Sequence, residues 1–204
     1  MESADPNVTD SALSANGGRA HFVIDAKRSR FTVQAFAAGI LSAMAHNPTI
    51  AIRTLSGEVD FNPDALQASG LGLTIQAASL SVQDDVSDKD RREMERMMKS
   101  DVLEVAKFPE IRYEAVATSL TKLNEALYSA TLGGALSFHG VTRNQPVPVR
   151  ITSLGEMLRA SGEFTLKQSD YQIKPVSIAG GALKLKDELK FSFEMVAHRQ
   201  EPIT

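Results

Sequence analysis

The sequence predicts an all-β protein, with about eight antiparallel strands and one amphipathic helix among them. Three observations carry this. Long runs alternate apolar and polar residues with a period of two, as half-buried strands do. Gly, Asn, Asp and Pro punctuate these runs at the spacing of barrels and sandwiches. Only Ser87 to Lys99 changes to helical spacing.

The elements follow in order. His21 to Asp25 is a short strand, Lys27-Arg28-Ser29 a turn, and Ser29 to Phe36 the next strand. Ala37 to Met44 is apolar and rich in small residues, and reads equally as helical turn, wide loop or strand. Pro48 to Phe61 is one long strand, with Leu55, Gly57, Val59 and Phe61 on one parity. Asn62-Pro63-Asp64 ends it. Leu71, Leu73, Ile75 and Ala77 alternate in the next. Ser87 and Asp90 make a capping-box-like helix start. Val86, Met94, Met97 and Met98 form an apolar stripe, and Asp88–Arg92 and Glu95–Lys99 are favourable pairs one turn apart. The helix should end near Val102-Leu103. Strands resume at Ile111 to Ala115, Ala126 to Phe138, Pro146 to Thr152, Leu158 to Leu166 and Leu183 to Val196. In the last, Leu185, Asp187, Leu189, Phe191, Phe193 and Met195 share a parity that only Asp187 breaks.

Alternation alone does not separate a barrel from a sandwich. Several runs approach twelve residues, which suits tilted barrel strands. Small inward residues (Ala77, Ala115, Ala117, Gly134, Gly162) would leave space for a small ligand.

Composition narrows the function. The chain has 204 residues, 43% apolar, enough for one well-buried core. A net charge of -3 argues against a nucleic-acid footprint. With no Cys, disulfides and thiolate chemistry are absent. No apolar run has membrane-span length. Residues 1–19 read as a disordered leader, not a secretory signal, and residues 20–200 as one domain. That predicts a cytoplasmic protein as written, or a periplasmic one if a signal has been removed.

Catalytic signals are sparse. There is no G-x-S-x-G elbow and no P-loop. Gly17-Gly18 and Gly180-Gly181 suit turns. Asp84-Asp85 and Asp88-Lys89-Asp90 lack calcium-loop spacing and suit a helix start. No cofactor and no metal are expected. His46 and His139 could share a metal if their strands meet, but the pair has no evident third ligand. The Met stripe reads as core packing or as an adaptable lid over a ligand mouth. Lys184, Lys186 and Lys190 read as a solvent-facing row that discourages edge pairing, in preference to an inward lysine that binds an anionic head group.

Several segments, taken in order, resemble the YceI-like family of bacterial polyisoprenoid-binding, lipocalin-like proteins. They are Phe22 to Asp25, Ser29 to Val33, Ala45-His46-Asn47-Pro48 and Ser56-Gly57-Glu58-Val59. The helix followed by Asp101 to Ile111, with Phe108-Pro109-Glu110-Ile111, is the most specific. Gly134 to Arg143, Gly162 to Thr165 and Ser169-Asp170-Tyr171 continue the series. The resemblance covers about Phe22 to Arg199. It implies an extended eight-stranded lipocalin-like antiparallel barrel, often dimeric, holding an isoprenoid or other fatty lipid in an apolar channel. This chain has Asn47 where many members have an acidic residue after the His, and its first residues do not read as their export signal.

On that reading the channel lining comprises Phe31, Val33, Leu73, Ile75, Tyr113, Leu136, Phe138, Phe164, Phe191 and Phe193. His46 and Arg53 are candidates for head-group contact. No catalytic residue is carried over, and a non-enzymatic lipid binder is expected. Two alternatives stand. One is a barrel enzyme acting on a small hydrophobic substrate through His46 or His139. The other is a protein whose interior is simply filled. A Phe-rich last strand would also suit a homodimer.

Overall fold

The computed structural model of the chain describes residues 19–39, 47–65, 68–178, 180 and 182–200. The expected leader, apart from Arg19, and most of the Ala37 to Met44 stretch lie outside these. In chain order the elements are β1 (Ala20–Ile24), β2 (Arg30–Ala38), β3 (Thr49–Ile52), β4 (Leu55–Phe61), β5 (Gly70–Gln76) and β6 (Leu80–Val82). The helix α1 (Asp88–Met97) follows. Then come β7 (Glu110–Lys122), β8 (Leu127–Phe138), β9 (Val141–Asn144), β10 (Val147–Ser153), β11 (Met157–Lys167), β12 (Ser177–Ile178) and β13 (Leu183–Arg199).

Eight strands close an antiparallel ring in the order β1-β4-β5-β7-β8-β10-β11-β13, sealed by pairing of β13 with β1. The 17-residue β13 does this by changing partner along its length. Its C-terminal part faces β1 through Phe22↔Arg199 and Ile24↔Ala197, and its N-terminal part faces β2 through Phe193↔Phe31 and Phe191↔Val33. β2, β3 and β6 therefore extend the barrel beyond the closed ring on one side. The result is a barrel that is closed at one end and divided at the other.

The expected strand from Pro48 to Phe61 is two strands. Ile50 and Ile52 face the interior on even positions, Val59 and Phe61 on odd ones, so the parity must change between them. It changes at Arg53-Thr54, where Thr54 N–H donates to Ser79 Oγ at 3.0 Å and the Thr54 carbonyl accepts from Gln76 N–H at 3.1 Å. This replaces the lost ladder bonds. β6, β9 and β12 are short strands that the alternation does not single out, because each has only two to four residues.

Helix α1 begins as read. Ser87 Oγ accepts from Asp90 N–H at 3.2 Å, and its hydroxyl donates to the Asp90 carboxylate at 2.7 Å. Such a cap stabilises a helix by about 1 kcal/mol. The helix continues as a π-helical turn over Met98–Val102. The Glu95–Lys99 pair forms at 3.4 Å, but Asp88–Arg92 does not: Arg92 Nε donates to the Asp88 carbonyl, and Arg96 pairs with Glu93 instead.

Two of the small residues do not leave space. A Cβ on Gly134 would sit 2.5 Å from Ala115 Cα, and one on Gly162 would sit 2.7 Å from the Phe193 ring. At both, the neighbouring strand has moved in to occupy the room. Among the described residues no helix is long and apolar enough to cross a membrane.

Candidate ligand channel

The barrel encloses a cavity of about 610 Å³. That is within the usual size range of pockets for small-molecule ligands. All ten residues expected in the lining stand on its wall: Phe31, Val33, Leu73, Ile75, Tyr113, Leu136, Phe138, Phe164, Phe191 and Phe193. They come from β2, β5, β7, β8, β11 and β13, whose inward parity the alternation sets. Phe164 stacks on Phe191 at 4.8 Å between ring centres, and Phe31 meets Phe191 and Phe193 edge-on at 6.2 and 5.9 Å. Several inward residues, among them Leu132, Ile151, Ala160, Phe164 and Leu189, are only half-buried. A filled core would bury them, so their residual exposure is to the cavity.

The divided end carries the more irregular structure. β6 pairs with β3 on one side only, and α1 lies along its other side. Val82 N–H donates to Glu95 Oε1 at 3.0 Å, and Arg91 donates to the Val82 carbonyl at 2.6 Å and the Asp84 carbonyl at 3.0 Å. Two charged side chains thus satisfy backbone groups that would otherwise need a neighbouring strand. The stripe of Val86, Met94, Met97 and Met98 forms part of the cavity wall. No residue of α1 is fully buried, so the helix covers the cavity without being sunk in a core.

After β11, residues 168–171 form a 3₁₀ turn packed against β11 and β13. β13 bulges there: Leu185 faces Ala37 and Leu189 faces Ala35, so residues 186–188 of one strand oppose only Phe36 of the other. Asp187, the break in the apolar parity, leaves the interior at this bulge. Its carboxylate accepts from Ser169 N–H at 2.8 Å and from the Ser169 hydroxyl at 2.6 Å. These bonds hold its pKa below the ordinary carboxylate range.

Polar groups on the wall are few. The Tyr113 hydroxyl donates to the Gln145 carbonyl at 2.7 Å, and burial, with Tyr171 nearby, pushes its pKa up to about 12. Gln168 is 4% exposed, and its amide donates to the Lys186 carbonyl at 2.9 Å. Asp60 turns outward to Arg19 and His21, and the Arg19 guanidinium chiefly lowers its pKa. Asp84, Asp90, Glu93 and Lys184 stand on the wall at the helix side.

The remaining sequence candidates are elsewhere. Arg53 is exposed, does not line the cavity, and donates to Ser81 Oγ at 3.0 Å. At the parity change it points away from the interior. His46 lies outside the described residues. His139 is off the cavity wall, at the β8–β9 turn, with a left-handed backbone. Its ring nitrogens lie 3.1 Å from Glu104 Oε2 and 3.2 Å from the Tyr171 carbonyl, and its ring packs on Phe108 at 4.4 Å. It ties three loops together. Among the described residues no three His, Asp or Glu converge as a metal site.

The long regular strands and single helix agree with one family model, described as the YceI-like domain, which matches residues 22–197. The chain belongs to the YceI-like family. The YceI-like barrel seen here is also similar to BcnA of Burkholderia cenocepacia, at TM-score 0.64 and 18% identity, covering 85% of this chain and 98% of that one. It is similar to a polyisoprenoid binding domain from Saccharophagus degradans implicated in plant cell wall breakdown, at TM-score 0.64 and 14% identity, covering 89% and 99%. It is similar to the Campylobacter jejuni YceI protein at TM-score 0.56 and 15% identity, covering 78% and 88%. At these identities the likeness is one of fold. Among curated proteins, none matches. Gln168, Arg91 and Glu95 were not legible as site residues of this YceI-like chain. Only Asp187 left a signal, as the polar residue in an apolar parity.

Proposed function

We propose that this protein is a non-catalytic carrier or store for a long-chain amphipathic lipid of the polyisoprenoid or isoprenoid quinone type. The observation that carries the reading is the cavity, about 610 Å³ in volume and walled almost wholly by aliphatic and aromatic side chains. Burial of each methylene there contributes about 0.8 kcal/mol, so a chain of ten such groups gains roughly 8 kcal/mol before ordering costs. Family membership supports the same reading, as does the polyisoprenoid binding named for one structural neighbour. The catalytic alternative gains nothing from His139, whose ring is engaged away from the cavity.

The test is mass spectrometry of an organic extract of the purified, folded protein, followed by uptake of added geranylgeraniol. A near-stoichiometric isoprenoid or fatty lipid is expected. A clean extract from a protein that also takes up no added chain would overturn the proposal.

A further inference from the structure

Resting on that reading, the wall also says which polar end the cargo carries. Gln168 is the most buried polar side chain on the cavity wall. The bulge in β13 frees the Lys186 carbonyl, and Gln168 Nε2 donates to it at 2.9 Å. That bond fixes which end of the amide is the oxygen. Among the described residues no donor meets Gln168 Oε1. Yet none of their side-chain oxygens is both sealed from solvent and unpartnered. Gln168 Oε1 is therefore open rather than sealed, and its residue lines the cavity.

The other polar wall groups give the same sign. The Tyr113 proton is committed to the Gln145 carbonyl, and what its oxygen has left is a lone pair. Gln145 Nε2 donates to the Pro146 carbonyl at 3.1 Å. Ser69 both donates to and accepts from the Asn62 backbone. Arg112 is exposed and paired with Glu110. Asp90, Glu93 and Lys184 are all exposed; Glu93 is paired with Arg96, and Asp84 accepts from Thr49 N–H at 3.0 Å. The groups left unused are mainly acceptors, beside the second N–H that each Gln amide keeps.

We infer that the channel selects a long apolar molecule whose polar end donates a hydrogen bond, an alcohol or a phenol, and that Gln168 Oε1 accepts it. Within the isoprenoid class this favours the alcohol or hydroquinone over the quinone, ester or phosphate. An acceptor-only head would face Gln168 Oε1 with no proton between them, which leaves buried polar atoms unpaired.

The test uses lipid-stripped protein and displacement of Nile red by geranylgeraniol, its methyl ether and its monophosphate. The wild type is expected to bind the alcohol more tightly than the phosphate. Gln168→Met should weaken the alcohol roughly tenfold, the effect of leaving a buried hydroxyl unpaired, and change the ether by less than about twofold. If that variant does not fold, the wild type decides: the Gln168 side-chain carbonyl resonance should shift with the alcohol and not with the ether. A phosphate that binds more tightly than the alcohol, an alcohol affinity unmoved in Gln168→Met, or a resonance shifted equally by both would overturn the inference while the carrier reading stands. Failure of all three chains to displace the dye from wild type would sink both.

Discussion

Ala160→Phe tests whether the interior is hollow. Ala160 is on β11, faces inward beside Met195 and Ile151, and keeps part of its surface open to the cavity. In a filled core the added ring would overpack and cost about 1–3 kcal/mol. In a cavity of about 610 Å³ it has room. It then buries on the order of 100 Å² more apolar surface than Ala, worth roughly 2.5 kcal/mol if desolvation is complete. We expect the lipid-free protein to become more stable by about 1 kcal/mol, since a ring on an open wall is only partly desolvated. The ring also takes the place of three or four methylenes of cargo. At about 0.8 kcal/mol each this is close to 3 kcal/mol, or roughly a hundredfold in affinity. Urea midpoints of stripped protein and dye displacement by geranylgeraniol measure the two effects. A variant destabilised by more than 1 kcal/mol with unchanged lipid affinity would refute the hollow-barrel argument.

Three further outcomes follow from the geometry. Glu95→Leu removes the acceptor for Val82 N–H, and faster hydrogen exchange at the Val82 amide is expected, with faster lipid release in stopped-flow mixing; unchanged exchange would mean that α1 is held otherwise. Gly134→Ala should cost more than about 3 kcal/mol, because the new carbon would collide with the Ala115 and Glu114 backbone, which cannot yield. Gly155→Ala, at φ +67° with open space around it, should cost only about 1–2 kcal/mol from the left-handed backbone; equal losses in thermal melts would contradict this. Asp187 has a folded pKa below its unfolded value of about 4, so its contribution is present above that pH and fades as pH falls through the lower folded value. The stability gap between wild type and Asp187→Asn should therefore shrink at pH 2–3 relative to pH 7, and a constant gap in acid titrations would rule out the Ser169 bonds as its origin.

The strands and their inward faces were legible because strand parity is a strong constraint; the barrel itself came from run length and the family resemblance. From Leu189 to Met195 and from Leu132 to Phe138, a slip of one residue would turn the apolar set outward. Parity gives the inward face of the ten wall residues, and the family resemblance gave the expectation that this face lines a channel. Parity cannot see where it reverses. The change at Arg53-Thr54 hides inside a run that reads as one strand, and it carried Arg53 to the outer surface. Nor does spacing reveal that Gly134 and Gly162 are points of close strand approach, since an open site and a filled one look alike in sequence. The polar site residues were hidden for another reason. Gln168 follows an apolar strand as any turn residue might, and its role depends on a carbonyl that only the bulge in β13 exposes.

That bulge belongs to a wider physical requirement. An eight-stranded barrel that closes regularly is just wide enough to be filled by its own side chains. To hold a long channel the strands must part, and parting leaves backbone groups without ladder partners. In the closed ring the ladders run on with one interruption, near Thr118. At the divided end the unpaired groups are met by side chains: Val82 by Glu95 and Arg91, Lys186 by Gln168, Ser169 by Asp187, the Gln145 carbonyl by Tyr113. Several of these look like ordinary surface polarity in the sequence. Here they are what lets the sheet open without orphaned peptide groups. Two of them, Tyr113 and Gln168, also face the space that opening creates. The substitutions that keep the backbone satisfied thus also set the polarity of the channel. This links the shape of the cavity to the kind of head group it can accept.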